Sequence, residues 1–211
     1  LKYYNEKEEL NYIEFKEKLW NQKISKFKPD REQCFIRMAF SRVTTGQFYI
    51  SNNNESSVLL DELISDGILG YETAGYFITH DIYEEWALEK LISSAYKTKE
   101  SNNHFFGEIG ASLPVRRSLR NWLSEQLLLE HHEIKGFVEE IIDSSEVETY
   151  WKDEILVSVL LSKLGINIFS PDQVPRLLCE KSFGVDLSRD KLVYSPRSLE
   201  EGLRNSITYD D

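Results

Sequence analysis

Cysteine is scarce in this chain, and the two present, Cys34 and Cys179, lie far apart without neighbouring ligand residues. Neither a disulfide framework nor a cysteine-rich zinc site is indicated, and both thiols are expected in the core. No apolar run approaches the roughly 18 residues that a membrane span requires. The opening residues Leu1-Lys2-Tyr3-Tyr4-Asn5-Glu6 lack the character of a signal peptide. A Gly-x-x-x-x-Gly-Lys-Ser/Thr run is missing, so no phosphate cradle is available to hydrolyse ATP unaided, and a Gly-x-Ser-x-Gly nucleophile elbow is missing too. These absences point to a soluble, cytoplasmic, non-catalytic chain without its own cofactor. Excess basic charge is also lacking. The formal net charge is −11, which repels nucleic acid and anionic membranes unless a local basic patch intervenes.

What is present suffices for a core. Of 211 residues, 41% are apolar and 12% aromatic, enough for one large or two small domains and against disorder of the whole. The chain starts at Leu1 rather than Met and ends at Tyr209-Asp210-Asp211 after a helix-like stretch. It is expected to be a fragment of a longer protein.

The apolar spacing predicts an amphipathic helix over residues 6 to 24, with Leu10, Ile13, Leu19, Trp20 and Ile24 on one face. After Pro29, Asp30 and Gln33 form a candidate capping box for a helix carrying Phe35, Ile36, Met38, Ala39 and Val43, which Gly46 stops. Phe48-Tyr49-Ile50 reads as a short strand. Asn54 is the expected N-cap of a second helix beginning near Glu55, with Val58, Leu59, Leu60, Leu63 and Ile64 inward and Gly67 at its end. Gly70 to Gly75 is read as a hairpin tip, Tyr76-Phe77-Ile78 as the returning strand, and Thr79 to about Ser93 as a third helix. Helix, short strand, helix, hairpin, helix is the order of a winged helix.

Residues 97 to 103 are polar and read as a linker. Beyond them the pattern predicts helices near 104–111, 114–131, 133–143, 146–164, 171–181 and 196–206, with Ser145 and Glu148 as a capping box and Pro114, Pro171 and Pro196 near helix starts. The fold class expected is mainly α: a winged helix followed by an irregular α-helical array.

Two stretches carry a resemblance. Leu60-Asp61-Glu62-Leu63-Ile64-Ser65-Asp66-Gly67-Ile68-Leu69, followed by Gly75-Tyr76-Phe77-Ile78-Thr79-His80-Asp81-Ile82-Tyr83-Glu84-Glu85-Trp86-Ala87, resembles the winged-helix region behind the ATPase core of STAND-class signalling NTPases. Leu113-Pro114-Val115-Arg116-Arg117-Ser118-Leu119-Arg120-Asn121-Trp122-Leu123 and Tyr150-Trp151-Lys152-Asp153-Glu154-Ile155-Leu156 are similar to the helical segment that comes next in bacterial members, antiviral ones among them. The resemblance covers residues 15 to 165. It implies a division into residues 1–28, the helical end of an upstream ATPase region; 29–97, the winged helix; and 98–211, the start of a helical sensor. His80-Asp81 resembles the His-Asp of the family's "MHD" element, with Thr79 where that tripeptide has Met. The resemblance implies that His80, with Asp81 beside it, faces ADP bound by the ATPase domain of the same chain. ADP or ATP would belong to the parent protein, and release of the contact would permit self-association or binding of a protein partner.

Other residues have competing readings. A lone His at a strand-to-helix corner is often satisfied by backbone, and an acid such as Asp81, with Glu84 three places on, suits the first helical turn for local reasons. Arg116, Arg117 and Arg120 form a compact basic cluster that could hold an anion or a partner. The alternative is pairing with the acids of 139–154. His131-His132-Glu133 does not form a zinc pattern, because position 136 is Gly and adjacent helical residues diverge by about 100°. Trp20, Trp86, Trp122 and Trp151 fall at helical spacing among apolar residues and are expected as core anchors.

Two other functions use the same residues: a winged-helix transcription regulator that binds DNA, and a helical protein-binding scaffold. The second predicted helix carries Glu55, Asp61, Glu62 and Asp66 and no Lys or Arg, so a DNA groove would repel it. The chain is therefore expected to show no retention of duplex DNA in a mobility-shift assay at low ionic strength. Salt-sensitive binding there would instead select the transcription regulator.

Overall fold

Pro29 sets the start of the first long helix. Its fixed φ suits the first helical position and its missing N–H costs nothing there, so the helix begins at Pro29 with Lys28 as its N-cap. The computed structural model describes residues 12–52, 54–129 and 131–162. Among these, α1 (Tyr12–Leu19) runs into a π-helical turn (Trp20–Ile24), followed by α2 (Pro29–Thr45) and α3 (Ser57–Ser65). A hairpin of β1 (Leu69–Glu72) and β2 (Gly75–Ile78) leads to α4 (Asp81–Thr98). Then come α5 (Asn102–Ile109), α6 (Leu113–Leu129), α7 (His131–Asp143) and α8 (Thr149–Leu161). The protein is mainly α, with eight α-helices and one two-stranded antiparallel sheet among the described residues. None of these helices is long and apolar enough to cross a membrane.

Helix α2 buries Cys34, Phe35, Met38 and Ala39, a stripe at three- and four-residue spacing, and ends at Gly46, whose φ of 66° lets its N–H reach the Arg42 carbonyl. Helix α3 adds Leu60 and Leu63 to the same core. In the hairpin, Leu69 pairs with Ile78 and Glu72 with Gly75, leaving Thr73-Ala74 as a two-residue turn. Ile50 exchanges two backbone hydrogen bonds with Tyr76, of 2.7 and 3.0 Å, and forms a single bridge at the hairpin's other edge.

Helix α4 lies between two groups of helices, with α2 on one side and α6 on the other. It therefore buries Trp86, Ala87, Leu88, Ile92 and Ala95. Past α4, Tyr96, Phe105, Trp122 and Phe137 form an aromatic cluster in which Tyr96 and Phe137 meet edge to face at 5.0 Å. Phe106 stacks on Trp151 at 4.6 Å. All four tryptophans are buried, at 1% exposure for Trp20, 7% for Trp86, 3% for Trp122 and 2% for Trp151.

Several boundaries differ from the expectations, each for a local reason. The capping box at Asp30 and Gln33 does not form, because Pro29 takes the first position and leaves Asp30 inside the helix. Asn54 sits at a φ of 62°, and Ser56 is the residue that precedes α3. Of Phe48-Tyr49-Ile50, Ile50 alone bridges. The polar stretch 97–103 shrinks, because α4 continues to Thr98 and the Ser101 side chain caps α5 by accepting from the His104 N–H. Ser145 does not cap α8. Glu148 precedes that helix without a side-chain bond, and Ser144 Oγ accepts from the Glu146 N–H instead. The helices expected at 171–181 and 196–206, with Pro171, Pro196 and Cys179, lie outside the described residues.

Gly75 has a φ of 135°, and a Cβ there would stand 2.8 Å from the Ile50 carbonyl oxygen. Gly75→Ala is thus expected to lose the Ile50 bridge and destabilise the fold by about 1–3 kcal/mol. A lowered midpoint in chemical denaturation would register this loss, whereas an unchanged midpoint would count against the tight approach.

Candidate functional site

The chain turns sharply from β2 into α4, and Thr79 pins that corner. Its Oγ1 donates to the Gly67 carbonyl at 2.7 Å and its N–H to the Ile68 carbonyl at 3.2 Å. His80 follows as the N-cap residue of α4, with φ −141° and ψ 128° and no side-chain capping bond. Its carbonyl accepts from the Tyr83 N–H at 3.0 Å, while its imidazole lies edge to face on the Tyr83 ring at 5.3 Å. The side chain is exposed. The corner's backbone is thus satisfied by backbone and Thr79, and the ring faces outward.

Asp81 opens the first turn of α4 with its side chain 95% exposed, 3.8 Å from Arg42 Nη1. It makes no capping bond, and the arrangement with Glu84 foreseen from their spacing does not form. Glu84 points inward to Arg42 instead. Burial pushes the Glu84 carboxyl above its ordinary range, against the pull of Arg42. The Arg42 guanidinium also lies over the Phe48 ring at 5.6 Å. Arg42, Phe48, Glu84 and Pro114 line a shallow cleft of about 290 Å³.

The basic cluster is engaged within the chain. Arg116 and Arg120, one helical turn apart, both reach Glu154 of α8, at 3.5 and 3.2 Å. Arg117 turns the other way to Glu85 of α4 at 2.6 Å, a partner outside the expected acidic stretch. These bonds tie α6 to both neighbours. Arg117 keeps the more open side chain, 68% exposed. Among the described residues no three His, Cys, Asp or Glu side chains converge as a metal site.

Two acids at the C-terminal end of α3, Glu62 and the following Asp66, are paired within the chain. Glu62 accepts from Lys28 at 2.9 Å and Arg31 at 3.3 Å, and Asp66 from Arg31 at 2.8 Å. Burial works to raise the Asp66 carboxyl, but Lys26 and Arg31 prevail and hold it below its usual range. Arg31 is wholly buried and also donates through Nε to the Ile24 carbonyl at 2.6 Å. Sequence reasoning passed over Arg31, as it did Lys16 in the first helix, because nothing in their local pattern marks a basic residue as interior.

Glu55 bonds to Arg37 through both carboxylate oxygens, at 2.6 and 2.7 Å, which draws its carboxyl downward. It also accepts from Cys34. Burial, reinforced by that carboxylate, pushes the Cys34 thiol up to about 12. Cys34 is accordingly expected to ignore Ellman's reagent at pH 8 in a Cys179→Ser variant until denaturant is added. Rapid labelling of the folded variant would contradict this placement.

Compared with models of known protein families and with curated proteins, the chain matches none.

Proposed function

We propose that this chain is the regulatory segment of a STAND-class ATPase, a winged helix followed by the start of a helical sensor, in which His80 reads the nucleotide held by an upstream ATPase domain. The single observation that carries this reading is the exposed imidazole at the mouth of α4, on a corner fixed by Thr79. The order α2, Ile50 bridge, α3, hairpin and α4 supports a winged helix. A ring so held can donate to a diphosphate oxygen of ADP without reordering its own backbone. A contact made in one nucleotide state alone biases a two-state equilibrium. Asp81, open beside it, would face the same interface.

In this reading the segment itself is not catalytic. Its partners are the ATPase domain of the same chain and, after release, a second copy or another protein in the cytoplasm. The DNA-binding alternative fares worse, because α3 supplies no base and exposes Asp61, while the acids Glu55, Glu62 and Asp66 in and beside it are paired with Arg37, Lys28 and Arg31. The scaffold alternative needs no His80 at all.

His80→Ala in the full-length protein separates the two. A lost hydrogen bond to a charged oxygen is worth about 1.5–3 kcal/mol, so ADP affinity is expected to fall about tenfold or more, with increased basal signalling. Equilibrium dialysis with labelled ADP reads the first effect. Wild-type ADP retention in that variant would leave the scaffold reading standing.

A further inference from the structure

An exposed side chain on a fixed corner is not thereby aimed. His80 makes no side-chain capping bond, and a solvent-facing side chain left to itself spreads over the staggered positions of its Cα–Cβ bond. Its affinity for a ligand is then reduced by the fraction of time it spends in the position that reaches that ligand. A histidine that reads a nucleotide from such a place gains from a neighbour that holds its ring.

Tyr83 stands where that neighbour is needed, at the third position of α4. Helices often carry an acid there, which reaches back to the N–H of the N-cap residue, but here the position is aromatic. Its spacing from His80 puts the two side chains on one side of the first turn, and the Tyr83 N–H bonds to the His80 carbonyl at 3.0 Å. The ring centroids lie 5.3 Å apart at an interplanar angle of 82°, the edge-to-face arrangement in which aromatic rings attract. Tyr83 is itself held. It is half-buried, packs against the core that α2 and α3 share with α4, and lies 6.1 Å from Trp86, which is 7% exposed. Trp86, Tyr83 and His80 thus follow one another along α4 from the interior to the surface, and the imidazole is the outermost ring of a series seated in the core.

We propose that Tyr83 is the positioning residue of the nucleotide-reading histidine: its ring selects one orientation of the His80 imidazole, so that the donor is in place before ADP arrives. This rests on the reading of His80 given above. Tyr83 touches no nucleotide in this scheme and acts through the imidazole alone. Release of a side chain from one staggered position into three lowers affinity about threefold, and the worth of an edge-to-face contact sets an upper limit of about tenfold.

The first test needs no nucleotide. In proton NMR of the full chain, the His80 imidazole should show Overhauser contacts to the Tyr83 ring and shifts displaced from those of a free histidine. Tyr83→Leu, which keeps an apolar side chain on the core, should return the shifts to free values, and Tyr83→Phe should leave them displaced. The second test is ADP affinity of the full-length protein by equilibrium dialysis. Tyr83→Leu should lower it about two- to tenfold, Tyr83→Phe should match the wild type, and Tyr83→Leu made on top of His80→Ala should cost nothing further. The positioning role is overturned, and the histidine reading survives, if His80→Ala weakens ADP binding while Tyr83→Leu does not, or if Tyr83→Leu costs as much in the His80→Ala background. Free-histidine shifts in the wild type, or equal losses in Tyr83→Phe and Tyr83→Leu, overturn it too. Unchanged ADP retention in His80→Ala removes the histidine reading itself, and the role of Tyr83 falls with it. Should Tyr83→Leu fail to fold, the wild-type imidazole contacts and shifts still decide.

Discussion

The packing of α4 between α2 and α6 is the constraint on which the rest of the structure depends. A helix covered on two sides must be apolar beyond a single stripe, and α4 meets this with Trp86, Ala87, Leu88, Ile92 and Ala95. The same helix carries His80 at its start and delivers Tyr96 to the aromatic cluster near its end. The exposed imidazole is thus attached to a helix packed against neighbours on two sides. Fully burying a large apolar side chain contributes about 1.5–3 kcal/mol, so several such residues along one helix outweigh any single surface ion pair.

Charge is distributed less conventionally. The interior accepts Lys16 and Arg31, and each is matched by more than one acceptor: Glu89 and Glu125 for Lys16; Glu62, Asp66 and the Ile24 carbonyl for Arg31. Burying an ion costs several kcal/mol, and removing its partner is worse than never having built the pair. These contacts therefore specify which helices meet more than they add to net stability. They also account for part of the acidic excess. Acids that look like a repulsive surface in the sequence are, at Glu55, Glu62 and Asp66, the acceptors of arginines and lysines of the same chain.

The helical architecture was legible because its signals are local. Pro29 and Gly46 bound α2, Gly67 ends α3, and the tryptophans fall at helical spacing. Two kinds of feature escaped. Cap assignments failed at Asp30, Asn54 and Ser145, because the helices begin two or three places away, behind Lys28, Ser56 and Glu148. Long-range polar contacts failed more completely, since Lys16 with Glu125 and Arg31 with Asp66 join residues with no sequence relation. At the candidate site, the place of His80 at the entry of α4 could be read in advance. That Glu84 would turn inward to Arg42, leaving Asp81 in solvent, could not, because it depends on the side of α4 that α2 covers.

Between the π-helical turn and α2, the backbone passes through two left-handed residues in succession, Lys26 at φ 49° and Phe27 at φ 58°. Each costs of order 1–2 kcal/mol for a residue with a side chain. The link is held in that shape by Arg31, whose guanidinium grips the Ile24 carbonyl just before it and Asp66 beyond it. It behaves as a wound spring with its catch set inside the protein. Because that guanidinium has no exposed surface, the grip on this link is set by the packing of α2 rather than by contacts at the surface.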